Sequence, residues 1–274
     1  METKDDRSGN ASDEKNKPYK VTIIEDQDDP EVWGVVNSFS RDPSPENAAA
    51  AFKILDEVLA KWTSHPPGVV TTIFDAIAEH RAEAGRTYLI DFIRTDPQLP
   101  HAQSVIREAA RALGKLGGPG ALEELTSLIE KAPADIIPTV AGALASLEDP
   151  RAVPVLEKLV QRPEQKIKSS ALAALSNYCH PSSASLALAN LTHTCAEVRS
   201  NATWWLAQCG GSEGGSRLAL LLDDPENLVR INALKGLIRL RSKDACGKIV
   251  ALRADQSLTV RELAREYGAM CGAH

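Results

Sequence analysis

Large rings are scarce in this chain of 274 residues: four Trp, four Tyr and four Phe bring aromatics to only 4%. An α/β or all-β domain of this size draws more of its core from rings, so a helical core filled with Ala and Leu is favoured. Long apolar runs are missing as well. No stretch approaches 18 uncharged apolar residues, so no membrane partner is expected. The first twenty residues lack the apolar centre of a secretory signal. Cysteines are few and odd in number (Cys179, Cys195, Cys209, Cys246 and Cys271), with no C-x-x-C pair. They read as reduced thiols of a cytoplasmic protein, Cys209 and Cys271 as core thiols, and not as a disulfide framework. On that view the sequons Asn190-Leu-Thr and Asn201-Ala-Thr carry no weight. An excess of positive charge is also absent: the formal charge is −6, which disfavours nucleic acid as a partner.

Catalytic and metal-binding motifs are equally thin. The six histidines are His65, His80, His101, His180, His193 and His274, and none forms H-E-x-x-H or a comparable ligand pair. Cys179-His180 and His193 with Cys195 read as structural thiols beside surface imidazoles. The glycine-rich stretches Gly114–Gly120 and Gly210–Gly215 lack the preceding strand and the Lys-Ser/Thr of a phosphate loop, and read as turns with left-handed caps. No G-x-S-x-G nucleophile setting occurs. The expectation is no catalytic residue, no metal and no cofactor.

The charge is unevenly placed. Residues 1–45 hold 11 acids and 6 bases, whereas residues 46–274 hold 26 and 25. Residues 1–45 therefore read as an acidic, largely disordered tail, with residues 1–20 too polar to repay the entropy of ordering. Within it, Val21-Thr-Ile-Ile24 reads either as one sticky patch or as a linear docking motif. Residues 46–274 read as one helical-repeat domain.

A repeat of 31 residues dominates that domain. Val105 recurs as Ile136, Ile167, Val198, Val229 and Val260. The fifth position of the same template reads Ala109, Val140, Ala171, Ala202, Ala233 and Ala264. The ninth reads Leu113, Leu144, Leu175, Leu206, Leu237 and Gly268. Such offsets share one face of a 3.6-residue helix. A preceding helix recurs as Leu125, Leu156, Ala187, Leu218 and Ile249, and Pro119, Pro150 and Pro181 mark successive unit starts. Each unit is a helix A, a turn and a helix B, and no unit can bury its apolar stripe alone. The predicted fold is all-α: an α-solenoid, or superhelix, of about seven antiparallel helix pairs. Residues 46–84 form a divergent N-terminal cap and residues 85–274 six repeats. Tyr88–Arg94 is the A helix of the first repeat, joined to its B helix by a longer loop over Thr95–His101. The last unit, with Glu262, Arg265, Glu266 and Gly268, reads as an exposed end.

Val105–Gly117 and Val229–Leu240 resemble the V-R-x-x-A-x-x-A-L-G-x-[IL]-G signature of short HEAT repeats, the HEAT-like class first associated with phycobilisome lyases. The resemblance covers roughly residues 85–274 and is specific for fold rather than for function. Iron-binding hydroxylases of this class carry repeated His-Glu pairs, and this chain has no His-Glu dipeptide. The resemblance also implies a structural ladder in which an Asp of the A–B turn pairs with an Arg at the second position and ties adjacent units. Arg199, Arg230 and Arg261, with Asp224 and Asp255, match that pattern. A row of anion-binding arginines is the alternative reading.

Positions 3, 7 and 11 of each B helix point away from its core stripe and are expected to line the concave binding face. They run from a basic start at Arg107, Arg111 and Lys115, through small residues, to Ser200, Trp204 and Gln208. A second basic pair, Lys235 and Arg239, precedes an acidic end. Trp204, rimmed by Asn177, Gln208, Lys235 and Arg239, reads as the anchor, and its neighbour Trp205 as core. This mixed surface suits another protein or a peptide, so a non-enzymatic interaction scaffold or adaptor is expected. A bilin lyase-like or chaperone-like protein is the alternative, because Asn201-Ala-Thr-Trp-Trp-Leu206 is similar to the aromatic B helices of that group. An alkylation-repeat glycosylase fits less well, since the row lacks an acid beside aromatics and broad basic charge.

Overall fold

The computed structural model describes residues 30–61, 67–99 and 101–272, and all regular structure among them is helical. The expectations for residues 1–20, for Val21–Ile24 and for His65 and His274 lie outside the described residues. The chain divides into two units, Met1–Ile73 and Phe74–His274.

In the first unit, α1 (Pro30–Arg41) and α2 (Pro45–Lys61) pack together. Helix α1 falls inside the segment read from sequence as a tail. Pro30 opens it, Glu31 and Arg41 complement its dipole, and Val36 and Phe39 are buried. Phe39 meets Phe52 edge to face, with ring centroids 5.7 Å apart. The apolar spacing of Val32, Val36 and Phe39 is helical, but it sits among acids and spans only three turns, which hid it.

Helix α3 (Pro67–Glu79) leads into the second unit. There A helices α4 (Arg86–Ile93), α6 (Ala121–Lys131), α8 (Val153–Val160), α10 (Ala184–Ala189), α12 (Gly214–Leu220) and α14 (Ile249–Arg253) alternate with B helices. The B helices are α5 (Ala102–Leu116), α7 (Ile137–Ser146), α9 (Gln165–Leu175), α11 (Ala196–Cys209), α13 (Asn227–Arg239) and α15 (Leu258–Met270). These make six helix pairs among the described residues. The fifth-position residues Ala109, Val140, Ala171, Ala202, Ala233 and Ala264 are fully buried, and so is the first-position series from Val105 to Val260 to within a few per cent. Small side chains there let each B helix lie against the next, and the B helices form a closely packed row. Gly114 shows how close: a Cβ on it would stand 2.5 Å from the Ala143 carbonyl oxygen. In the last unit Glu262, Arg265 and Glu266 are exposed as expected, but Gly268 is buried.

The B helices end at one repeat position. Gly117, Glu148, Cys179, Arg241 and Gly272, 31 residues apart or a multiple of it, adopt positive φ between 46° and 77°, and Gly211 does the same one residue later in its unit. This left-handed turn satisfies the last carbonyls and starts the next A helix. In three units a non-glycine side chain takes that turn and is carried to the rim of the B-helix row.

Candidate functional site

Two ladders bind the units together. Arg199 forms a two-pronged ion pair with Asp224, its Nε and Nη2 each 2.8 Å from a carboxylate oxygen, and Arg230 repeats it on Asp255 at 2.9 and 2.8 Å. The Nη1 atoms of Arg199, Arg230 and Arg261 donate to backbone carbonyls of their own A–B turns, His193, Asp224 and Asp255 respectively, at 2.9, 2.8 and 2.7 Å. Each guanidinium therefore clamps its own turn and takes the acid of the following unit. Asp224 serves Arg199, not the Arg230 that lies six residues after it. Among the described residues Arg261 makes the carbonyl contacts alone. Burial pushes the Asp224 and Asp255 carboxyls up, but the arginine and the backbone N–H of Glu226 or Ser257 outweigh it, and both end below their ordinary value.

These pairs are 8–13% exposed, so breaking one strands a nearly buried charge. Arg230→Ala is expected to lower unfolding stability by about 1–3 kcal/mol, measured by denaturant titration. Removing the exposed Arg151–Glu123 pair should cost under about 1 kcal/mol. Carboxylates with depressed folded-state pKa values stabilise the fold above the unfolded value of about 4, and that stability is lost as pH falls through the folded values. Melting temperature should thus drop on acidification below about pH 4, and less steeply in Arg230→Ala.

The second ladder was not foreseen. The Asn201 carboxamide donates to the Ser169 carbonyl and hydroxyl at 3.2 and 2.7 Å, and Asn232 does the same to Ser200 at 3.0 and 3.1 Å. Ser169 and Ser200, at the third position expected on the binding face, are buried beneath the next B helix. The signal was present: Ser at position 3 followed, 32 residues on, by Asn at position 4, twice. The amide of Asn190, the other sequon, is spent on the Leu186 carbonyl.

Positions 7 and 11 do form an accessible row. The two arginines of the basic start are paired, Arg107 with Asp135 at 3.0 Å and Arg111 with Asp75 and Glu108 at 2.6 and 2.7 Å, while Lys115 is exposed. Further along, a hollow of about 650 Å³ is lined by Glu148, Asn177, Tyr178, Cys179, Trp204, Gln208 and Arg239, with Ala145 and Ser176. Four of the residues expected at the anchor (Asn177 in the turn after α9, Trp204 and Gln208 on α11, and Arg239 on α13) thus share one hollow, which α7 and the turn after it complete. Lys235 is exposed on α13 outside its lining. Trp204 is half-buried, whereas Trp205 is 3% exposed and its indole N–H has no hydrogen-bond acceptor among the described residues. Tyr178 donates its hydroxyl to the Leu144 carbonyl. Burial, with the carboxylates of Asp149 and Glu148 adding, pushes its pKa up to about 12, so it stays neutral.

The cysteines depart from expectation. Cys179 is joined to Cys209, and Cys246 to Cys271, leaving only Cys195 free. Sequence reading placed reduced thiols here because no pair is close in sequence. The repeat brings them together: Cys179 ends one B helix and Cys209 ends the next, with Cα atoms 5.0 Å apart. The imidazoles are engaged locally, His180 with the Ser182 hydroxyl at 2.7 Å and His193 as acceptor from the Cys195 N–H at 3.0 Å.

Stacked A–B pairs, a left-handed turn at a fixed interval and an arginine clamp in the turn define an α-solenoid of helical repeats. Residues 89–176 match the family model of HEAT repeats. The structure is similar to the CpcE–CpcF complex of phycocyanin lyase from Nostoc sp. PCC7120, at 21% identity and a TM-score of 0.51, over 78% of this chain and 86% of that one. It is also similar to an engineered protein at 20% identity and a TM-score of 0.51, over 88% of this chain and 68% of that one. These likenesses establish the fold. No curated protein matches the chain by sequence.

Proposed function

We propose that the protein is a non-enzymatic scaffold or adaptor that holds a partner protein or peptide on its B-helix face, with Trp204 as the anchor. In a curved stack the closely packed layer is the inner one, so the B row is the concave side. The observation that carries the reading is the hollow around Trp204. Elsewhere on the row Arg107 and Arg111 are committed to ion pairs; here a half-exposed indole stands beside Asn177, Gln208 and Arg239, whose side chains are not spent on the fold. An aromatic anchor ringed by polar groups is the composition of an interaction hot spot. The two disulfides favour an oxidising compartment over the cytoplasmic one read from sequence.

Capture experiments test the reading. Immobilised wild-type protein, Trp204→Ala and an A-helix variant, Val250→Asp, are compared against extracts of the source cells. Val250 is 82% exposed on α14. Proteins retained by wild type and by Val250→Asp but lost with Trp204→Ala are the expected result. Captured proteins indifferent to Trp204 and lost with Val250→Asp would move the binding face to the A helices. The lyase-like alternative is addressed by mixing purified protein with a bilin: unchanged absorbance is expected, and a stable spectral shift would favour the alternative.

A further inference from the structure

The hollow is electrically polarised, and its polarity selects its occupant. Its lining comes from four consecutive B units: Glu148 in the turn after α7, Asn177 and Cys179 after α9, Trp204 and Gln208 on α11, and Arg239 at the end of α13. An acid thus stands at one end, a guanidinium at the other, and two carboxamides and an indole between them. Arg107 and Arg111 of the B row are paired. The side chains of Glu148, Asn177, Gln208 and Arg239 have no hydrogen-bond or ion-pair partner among the described residues. All four lie where B helices terminate, α13 included, so the negative ends of α7 and α9 add to the charge of Glu148, while the Arg239 guanidinium offsets that of α13.

Resting on the reading above, we infer that the occupant is an extended peptide segment carrying a cationic residue at the Glu148 end and a carboxylate at the Arg239 end, with its middle lying over Trp204. The cation is drawn by the Glu148 carboxylate and by the helix C-termini beside it, and the Trp204 ring packs against the middle of the segment. The carboxylate forms a two-pronged pair with the Arg239 guanidinium. Between them, Asn177 and Gln208 each offer a donor and an acceptor to the backbone of an extended chain, which has both to satisfy. Neighbouring packed helices are about 8–10 Å apart, so the row from α7 to α13 spans about 24–30 Å. At about 3.3 Å per residue this is a segment of about seven to nine residues.

The test uses fluorescein-labelled nonapeptide pools with randomised interiors and fixed ends, titrated into the oxidised full chain by fluorescence anisotropy. Four pools carry Lys and Glu, Lys and Lys, Glu and Glu, or Ser and Ser at their two ends. A fifth replaces the terminal Glu by Ser with a free C-terminal carboxylate, which separates a side-chain acid from a chain end; the other four are amidated. Wild type is expected to bind the Lys/Glu pool at least about tenfold more tightly than either like-charged pool, because each of those places like charge against one end. Arg239→Glu should turn the preference to Lys/Lys, and Glu148→Arg to Glu/Glu; both positions are exposed, and unchanged melting temperatures confirm the fold. Binding that depends on Trp204 but keeps the same pool order in both charge-reversed variants would overturn the inference while leaving the scaffold reading intact. Failure of every pool to bind, with Trp204-dependent capture of a folded protein retained, would also overturn it.

Discussion

Trp205→Ala is expected to lower the unfolding free energy by about 3–5 kcal/mol, the usual cost of emptying a large buried ring site, while Trp204→Ala shifts it by under about 1 kcal/mol. The two residues are adjacent and differ only in direction along the helix. Trp205 occupies the eighth repeat position, where other units place Ala112, Ala143, Ala174 and Gly236, and it is 3% exposed. The last unit places Tyr267 there, also buried; a ring at a site that the other units fill with Ala or Gly occupies the space between units, and its loss leaves a cavity. Trp205→Phe should cost less than Trp205→Ala, because it keeps most of the ring and removes an indole N–H that has no buried acceptor. Urea titrations monitored by circular dichroism at 222 nm give all three values. Equal destabilisation by the two alanine variants would mean that Trp204 is also core.

Removing the Cys179–Cys209 link should have an effect of similar size. The bond spans 30 residues of sequence, and closing such a loop in the unfolded chain is worth about 3–4 kcal/mol. The Cys246–Cys271 bond spans 25 and is worth nearly as much on the same argument. Reduction, or Cys179→Ser with Cys209→Ser, is expected to lower the melting temperature markedly. Because Cys179 lines the hollow, it should weaken ligand binding as well. Titration of the unreduced chain with a thiol reagent should find one thiol, Cys195. Five reactive thiols under denaturing, non-reducing conditions would contradict the pairing.

The repeat was legible because stacking imposes one helix face on every unit: Val105 to Val260 and Ala109 to Ala264 could occupy those faces only in a stack. Positions 7 and 8 were legible for the same reason, charge marking one and small size the other, and this separated Trp204 from Trp205. What escaped were features that depend on distance between units rather than on periodicity within one. Cys179 and Cys209 are 30 residues apart in sequence and neighbours in space, since B helices one repeat apart end side by side. Ser169 at position 3 was read as exposed because its helix alone leaves it so; the next helix covers it, and Asn201 supplies its partner. The exposed assignment of Arg107 and Arg111 failed to anticipate Asp135 and Asp75, acids outside the B template. Glu148 went unnoticed because it stands at the thirteenth position, in the left-handed turn where the signature has glycine.

The central claim is that the hollow around Trp204 binds the partner and that the fold does not depend on that side chain. The most direct measurement is the affinity of wild type and Trp204→Ala for the tightest peptide of the Lys/Glu pool, by isothermal titration calorimetry, with melting temperatures recorded on the same samples. Truncating an aromatic anchor commonly costs about 2 kcal/mol or more, so binding about thirtyfold weaker at an unchanged melting temperature is predicted. Equal affinity in the two proteins, or weaker binding accompanied by a collapse of the melting temperature, would contradict the account.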